Sequence, residues 1–115
     1  MSYRKYSNKK TVIDGIKFDS KAEARRYKEL VIAQKAGIIR DLELQPEFLL
    51  QDKFKYDDKI QRAIKYIADF KYFDISKYDY VVEDVKGVET EAFKIKRKLF
   101  LKMYGDKYIF KIIKY

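Results

Sequence analysis

The stretch VVEDVKG, Val81 to Gly87, decides how the rest of the chain is read. A short valine run of this kind reads as a buried strand, yet it carries Glu83, Asp84 and Lys86. Burying such charges is costly unless they are paired or bind a metal ion. Strand side chains alternate, so Asp84 and Lys86 share one face while Glu83 and Val85 share the other. A carboxylate and an amine two residues apart on one face form a compact chemical pair. The carboxylate can hold a divalent cation, and the ammonium can stabilise charge on a phosphate or help activate a water. The competing reading is a plain strand-face ion pair, worth little at a surface. Glu83 faces the opposite way, so it is either solvent-exposed or paired elsewhere, and is not a ligand.

Asp69, in YIADF, falls in the preceding β-rich segment Arg62–Asp74. Its separation from Asp84 (84 − 69 = 15 residues) suits two antiparallel strands joined by the polar turn around Ser76 to Tyr78. The two aspartates would then be cross-strand neighbours. Mg²⁺ takes one or two protein carboxylates and completes its octahedron with water and phosphate. An ion held that way activates water for attack on a phosphodiester.

Working outward, Asp14-Gly15 between TVI and IKF is a strong short-range hairpin signal. Ser20-Lys-Ala-Glu23 is a capping-box pattern, and a helix is predicted from Lys21 to Ala36 with Gly37 as its C-terminal stop. IIRDLELQPEFLLQDKF reads as extended, with Pro46 at an edge or bend. DYVVEDVK is the next strand, and Gly87 ends it. EAFKIKRKLFLKMY, Glu91 to Tyr104, is a second helix stopped by Gly105, with Phe93, Ile95, Leu99 and Met103 expected on its core face. KYIFKII is a last strand. The order predicts a single α/β domain over residues 1–115, a central sheet with a helix on each side, preceded by a polar, basic arm at residues 1–9.

Composition narrows the chemistry. The 115 residues carry a net charge of +9, which attracts polyanions, nucleic acid above all. There is no cysteine and no histidine, which excludes disulfides, zinc fingers and His-dependent triads. Catalysis would therefore run on carboxylates, Lys, Tyr or a hard cation held by oxygen. The N-terminus MSYRKYSNKK lacks a signal-peptide pattern, and no apolar run reaches the ~18 residues of a membrane span. A soluble protein of the cytoplasm, with no membrane partner, is expected.

IADF, a turn and EDVKG together resemble the core of the PD-(D/E)XK nuclease superfamily. In that superfamily an Asp on one strand and a (D/E)-x-K on the next bind the metal, often joined by an acidic residue on the preceding helix. Glu23 in FDSKAEARRY matches that helical position, and VKGVETEAFKIKRKLF resembles the helix after the motif, where Thr90 and Lys94 fall. Ala68 stands where the superfamily's name has proline. The chain is similar over nearly its whole length to small phage-encoded Holliday-junction-resolvase-like endonucleases.

This resemblance implies a restriction-endonuclease-like core with a central mixed β-sheet flanked by helices. It implies Mg²⁺-dependent hydrolysis of DNA, on branched or junction DNA in phage replication or recombination, with Mn²⁺ able to substitute and the host cytoplasm as the compartment. Glu23, Asp69 and Asp84 would hold the metal, with the Val85 carbonyl as an extra ligand. Lys86 would polarise the attacking water or the scissile phosphate, and Lys94 would contact that phosphate. Arg25, Arg26, Lys96, Arg97, Lys98 and the N-terminal basic residues would grip the DNA backbone without reading sequence. A two-fold dimer would match a four-way junction, which offers two symmetric cuts. Each residue also has a plainer reading: Glu23 as a helix cap, Asp69 at a solvated strand edge, the basic second helix as a solvated face. The alternatives for the whole are a nucleic-acid-binding module that does not cut, or a supporting subunit.

Overall fold

The structure is a computed structural model that describes residues 11–115; the basic arm expected at residues 1–9 lies outside the described residues. Strands β1 (Thr11–Ile13) and β2 (Ile16–Phe18) form the expected antiparallel hairpin. Its turn residues Asp14 (φ 53°) and Gly15 (φ 77°) are both left-handed, as a two-residue hairpin turn requires. Helix α1 (Lys21–Lys35) follows. Ser20 Oγ accepts from the Glu23 N–H at 3.0 Å and caps its first turn. At the other end the Gly37 N–H donates to the Gln34 carbonyl and the Ile38 N–H to the Ala33 carbonyl. Gly37 has φ 76°, so the helix closes in a Schellman motif.

The chain then runs through β3 (Ile39–Leu44), β4 (Glu47–Gln51), β5 (Phe54–Tyr56), β6 (Lys59–Gln61), β7 (Ile64–Ile67), β8 (Phe70–Asp74) and β9 (Asp79–Lys86). Helix α2 (Glu91–Tyr104) and β10 (Ile109–Lys114) complete it. The main sheet has the order β10-β9-β8-β3, with β10 parallel to β9 and the other pairs antiparallel. The fold is therefore α/β with a mixed sheet.

The segment Arg62–Asp74, read from sequence as one β-rich run, divides at Ala68–Asp69. Its first half, β7, pairs with β4 and leaves the main sheet; its second half, β8, stays in it. The cause lies in the facing strand. Pro46 has no N–H to give and Gln45 takes φ 51°, so that strand turns between β3 and β4. The partner turns with it. The Gln45 N–H reaches the Asp69 carbonyl at 2.9 Å and the Ala68 N–H reaches the Pro46 carbonyl at 3.1 Å, carrying the ladder across the bend. Asp69 thus sits at the bend, one residue before β8, rather than inside a strand.

Beyond the bend, β4–β7 and β5–β6 continue as a two-stranded ribbon, closed by Asp57 and Asp58, both left-handed. The described residues have a radius of gyration of 16.3 Å, against about 13 Å for a compact chain of this length. No helix among them is long and apolar enough to cross a membrane.

Two cores sit on opposite faces of β9. On one, Val81 and Val85 pack with Phe70 and Tyr72 of β8 and with Ala24, Tyr27 and Leu30 of α1. On the other, Val82 packs with Phe48, Leu50 and Tyr66 of the ribbon and with Phe93 and Phe100 of α2. A helix covers each side, as the element order implied.

The α2 face differs from the expectation. Phe93 and Phe100 are buried, but Ile95 is 60 %, Leu99 36 % and Met103 48 % exposed. At roughly 100° per residue, positions 93, 97, 100 and 104 fall within about 60° of one another. Positions 95, 99 and 103 lie on a different flank of the helix, so the expected set mixed two faces.

Candidate active site

The register of β8 and β9 builds the site. Phe70 pairs with Glu83, and the Asp69 N–H continues the ladder to the Glu83 carbonyl at 3.0 Å. Asp69 therefore arrives beside Asp84. The bend frees its side chain to turn inward, where Oδ2 accepts the Val85 N–H at 2.6 Å. Helix α1 supplies Glu23 from its first turn, 7 % exposed. Glu23, Asp69, Val85, Lys86, Gly87 and Tyr115 are among the residues lining one cleft of about 610 Å³.

Asp84 lies one layer deeper, 2 % exposed. Its Oδ2 accepts from the Tyr66 hydroxyl, and Lys86 Nζ stands 3.3 Å from its Oδ1. The Lys86 ammonium also sits 4.4 Å from the centre of the Phe93 ring, a cation–π contact that steers it along the α2 face.

Crowding of these carboxyls shifts their titration. Asp69 is pushed up to about 8, first by burial and then by the charge of Asp84, against the pull of the Val85 N–H. Glu23 is also raised, by burial first and then by Asp19, which lines the same cleft. The charges of Asp84 and Glu23 both help to raise Asp69, and the charge of Asp84 helps to raise Glu23, so these carboxyls sit close enough to oppose one another's ionisation. Among the described residues, no group of three or more carboxylates gathers tightly enough to hold an ion on its own. A hard cation that keeps water and phosphate in its shell asks for only one or two. Asp69, with Asp84 or Glu23 as its partner, meets that requirement in donor chemistry.

Glu83 resolves the other way. It is fully buried on the α1 face. Arg26 grips it with Nε at 2.8 Å and Nη2 at 2.6 Å, and the Tyr72 hydroxyl donates to it. That bidentate pair gives Glu83 its own counter-charge. Arg26's remaining nitrogen bonds the exposed Glu29 at 2.9 Å, so this guanidinium, expected to contact phosphate, already neutralises carboxylates of the chain.

The other expected contacts scatter. Arg25 is exposed and lines a small pocket with Lys114 and Tyr115 beside the cleft. Arg97 is bonded to Glu89 at 3.0 Å and lies over Phe93. Lys98 is exposed and Lys96 half-buried. Lys94 does not line the cleft; its Nζ pairs with Glu91 at 3.3 Å. Thr90 caps α2 by accepting the Phe93 N–H at 3.1 Å. Sequence reasoning missed Tyr66, Tyr72 and Tyr115, since nothing local distinguishes them among 11 tyrosines.

These features define an α/β domain whose mixed sheet carries an acidic, lysine-flanked cleft at one end of its two central strands. The chain belongs to the family described as "Protein of unknown function (DUF1064)", which it matches over residues 3–115. No curated protein and no solved structure matches it.

Proposed function

We propose that this domain is a metal-dependent nuclease of the PD-(D/E)XK type that hydrolyses phosphodiester bonds in DNA. The observation that supports this most is convergence. Glu23 from α1, Asp69 from the bend before β8 and Lys86 from β9 line one cleft, with Asp84 beneath it and paired to Lys86, although 63 positions separate the first from the last (86 − 23). A mixed sheet with one helix ahead of the acidic strands and one behind them fits a restriction-endonuclease-like core.

Glu23, Asp69 and Asp84 would hold Mg²⁺, or Mn²⁺ in its place, with the Val85 carbonyl as a further oxygen. When bound, the ion supplies Lewis acidity and an activated water. The chain supplies the rest. The Val85 N–H fixes the Asp69 carboxyl, and the Ser20 cap fixes the backbone of Glu23. Lys86 reaches the cleft wall, where its ammonium offsets charge gathering on the phosphate oxygens during attack. The +9 net charge draws the polyanion in.

The test is cleavage of branched, duplex and single-stranded DNA with Mg²⁺ and with chelator. Wild type should cut only with the metal, with branched DNA the preferred substrate. Asp84→Asn should bind DNA without cutting, and Lys86→Ala should cut slowly. Cleavage by Asp84→Asn at the wild-type rate would end the proposal. A second reading, a nucleic-acid-binding module that does not cut, draws on the raised pKa of Asp69, which lets a proton lower the charge of the cleft in place of a metal ion. The same assay separates the two.

A further inference from the structure

Tyr66 belongs to the ribbon, not to the main sheet, yet its hydroxyl donates to Oδ2 of Asp84. The residue is 3 % exposed. Its ring is wedged among Phe100 at 5.3 Å and Phe48, Phe93 and Phe110 at 6.3 Å between centroids. Those four rings come from α2, β4 and β10, so three elements fix where the phenol points. With Lys86 Nζ at 3.3 Å from Oδ1, each oxygen of Asp84 meets its own donor. Two donors on opposite oxygens set the carboxylate's rotation about its last bond, and a buried carboxylate that cannot turn presents a fixed lone-pair direction.

We infer that Tyr66 is the positioning residue of the candidate metal centre: by holding the carboxylate of Asp84 it sets the cation affinity of the cleft. This rests on the nuclease reading and goes beyond it, since it makes docking of the ribbon a condition for metal binding. Partners that orient a metal's ligands typically change affinity or activity by about 10–100-fold when removed.

The structure supplies a matched control. On the opposite face of β9 the Tyr72 hydroxyl donates to Glu83, which is equally buried and away from the cleft. Tyr72→Phe therefore removes the same kind of bond without touching the centre. Binding of Mn²⁺ to the full chain, measured by calorimetry without DNA, should weaken about 10-fold or more in Tyr66→Phe. It should stay within about twofold of wild type in Tyr72→Phe, because that residue touches no proposed ligand. Thermal melting of both variants reports the structural cost separately. If Tyr66→Phe does not fold, Phe48→Leu loosens the ring packing around Tyr66 while leaving its hydroxyl, and should weaken Mn²⁺ binding to a lesser degree.

Wild-type protein that binds no Mn²⁺ would overturn the nuclease reading and this inference with it. Wild type that binds, alongside a Tyr66→Phe that binds equally well, would overturn the role of Tyr66 alone. The same holds if Tyr66→Phe and Tyr72→Phe weaken binding equally, since the effect is then a general loss of stability; unchanged binding by Phe48→Leu also counts against it.

Discussion

Replacing Asp69 with Asn removes one charge from the acidic cleft while keeping the side chain's size. The amide oxygen can still accept the Val85 N–H that Oδ2 accepts at 2.6 Å. Asp69 is raised to about 8 in the folded chain from an ordinary 3.8. Between those values the unfolded chain gives up the proton and the folded chain keeps it, so stability falls as pH rises through this window. At pH 7 linkage puts the cost at about 4 kcal/mol for an isolated group; taking half of that for a group that titrates together with its neighbours gives about 2 kcal/mol. Asp69→Asn has no such cost. It should melt about 8–10 °C above wild type at pH 7–8, taking roughly 4–5 °C per kcal/mol for a domain of this size. Near pH 4 the two should melt nearly together. Differential scanning calorimetry from pH 4 to 8, with and without Mg²⁺, is the assay. Mg²⁺ should raise the melting temperature of wild type at pH 8 and leave Asp69→Asn unchanged. If Asp69→Asn melts at or below wild type at pH 8, the chain already neutralises Asp69 by itself, and the crowded-carboxyl account of the cleft is refuted.

Glu23→Gln should melt at or above wild type near neutral pH yet cut poorly, because the Ser20 hydroxyl caps the backbone N–H of residue 23 whatever its side chain, and burial has raised the carboxyl it replaces. Ser20→Ala should lose about 0.5–2 kcal/mol in denaturant titration and still cut at low temperature; full activity of Glu23→Gln would remove the helix from the site. Arg26→Met leaves the fully buried Glu83 with its tyrosine contact but no counter-charge, and should cost about 3–5 kcal/mol by denaturant unfolding. A loss below 1 kcal/mol would show that this pair does not hold α1 to the sheet. DNA binding that neutralises ~5 phosphates should weaken with a log–log salt slope of roughly −4 to −5 on duplex; a flat dependence would count against nucleic acid as the partner.

The parts of this molecule governed by neighbours in sequence were legible. Alternation in Asp79–Lys86 assigned the two faces of β9 correctly, and the glycines with Ser20 located the ends of α1. The spacing of Asp69 and Asp84 anticipated their pairing because one short turn sets that register. The rest depends on residues far apart. The bend that turns Asp69 inward begins at Pro46 on the facing strand, 23 positions earlier (69 − 46). Arg26 and Glu83 are 57 positions apart, so no window contains both. The α2 face is a different kind of miss: the 3.6-residue period was present in Phe93, Arg97, Phe100 and Tyr104, but an arginine at the second position masked it.

Glu83 and Asp84 carry the deeper distinction, since they are adjacent in sequence, almost equally buried, and each bonded by a tyrosine. Burial of a carboxylate is tolerable only with compensation. Glu83 receives it in full from a bidentate guanidinium whose other nitrogen is also paired. Asp84 has a single ammonium at 3.3 Å, and its next neighbours in the cleft are further carboxyls. Two acidic side chains one residue apart thus meet opposite fates because β9 alternates. The face toward α1 brings the cation that completes a structural pair, and the face toward the cleft brings more negative charge than the chain's own lysine offsets. That imbalance, beside an open cleft, is the physical reason the proposed cation would sit at Asp69 and Asp84 and not at Glu83.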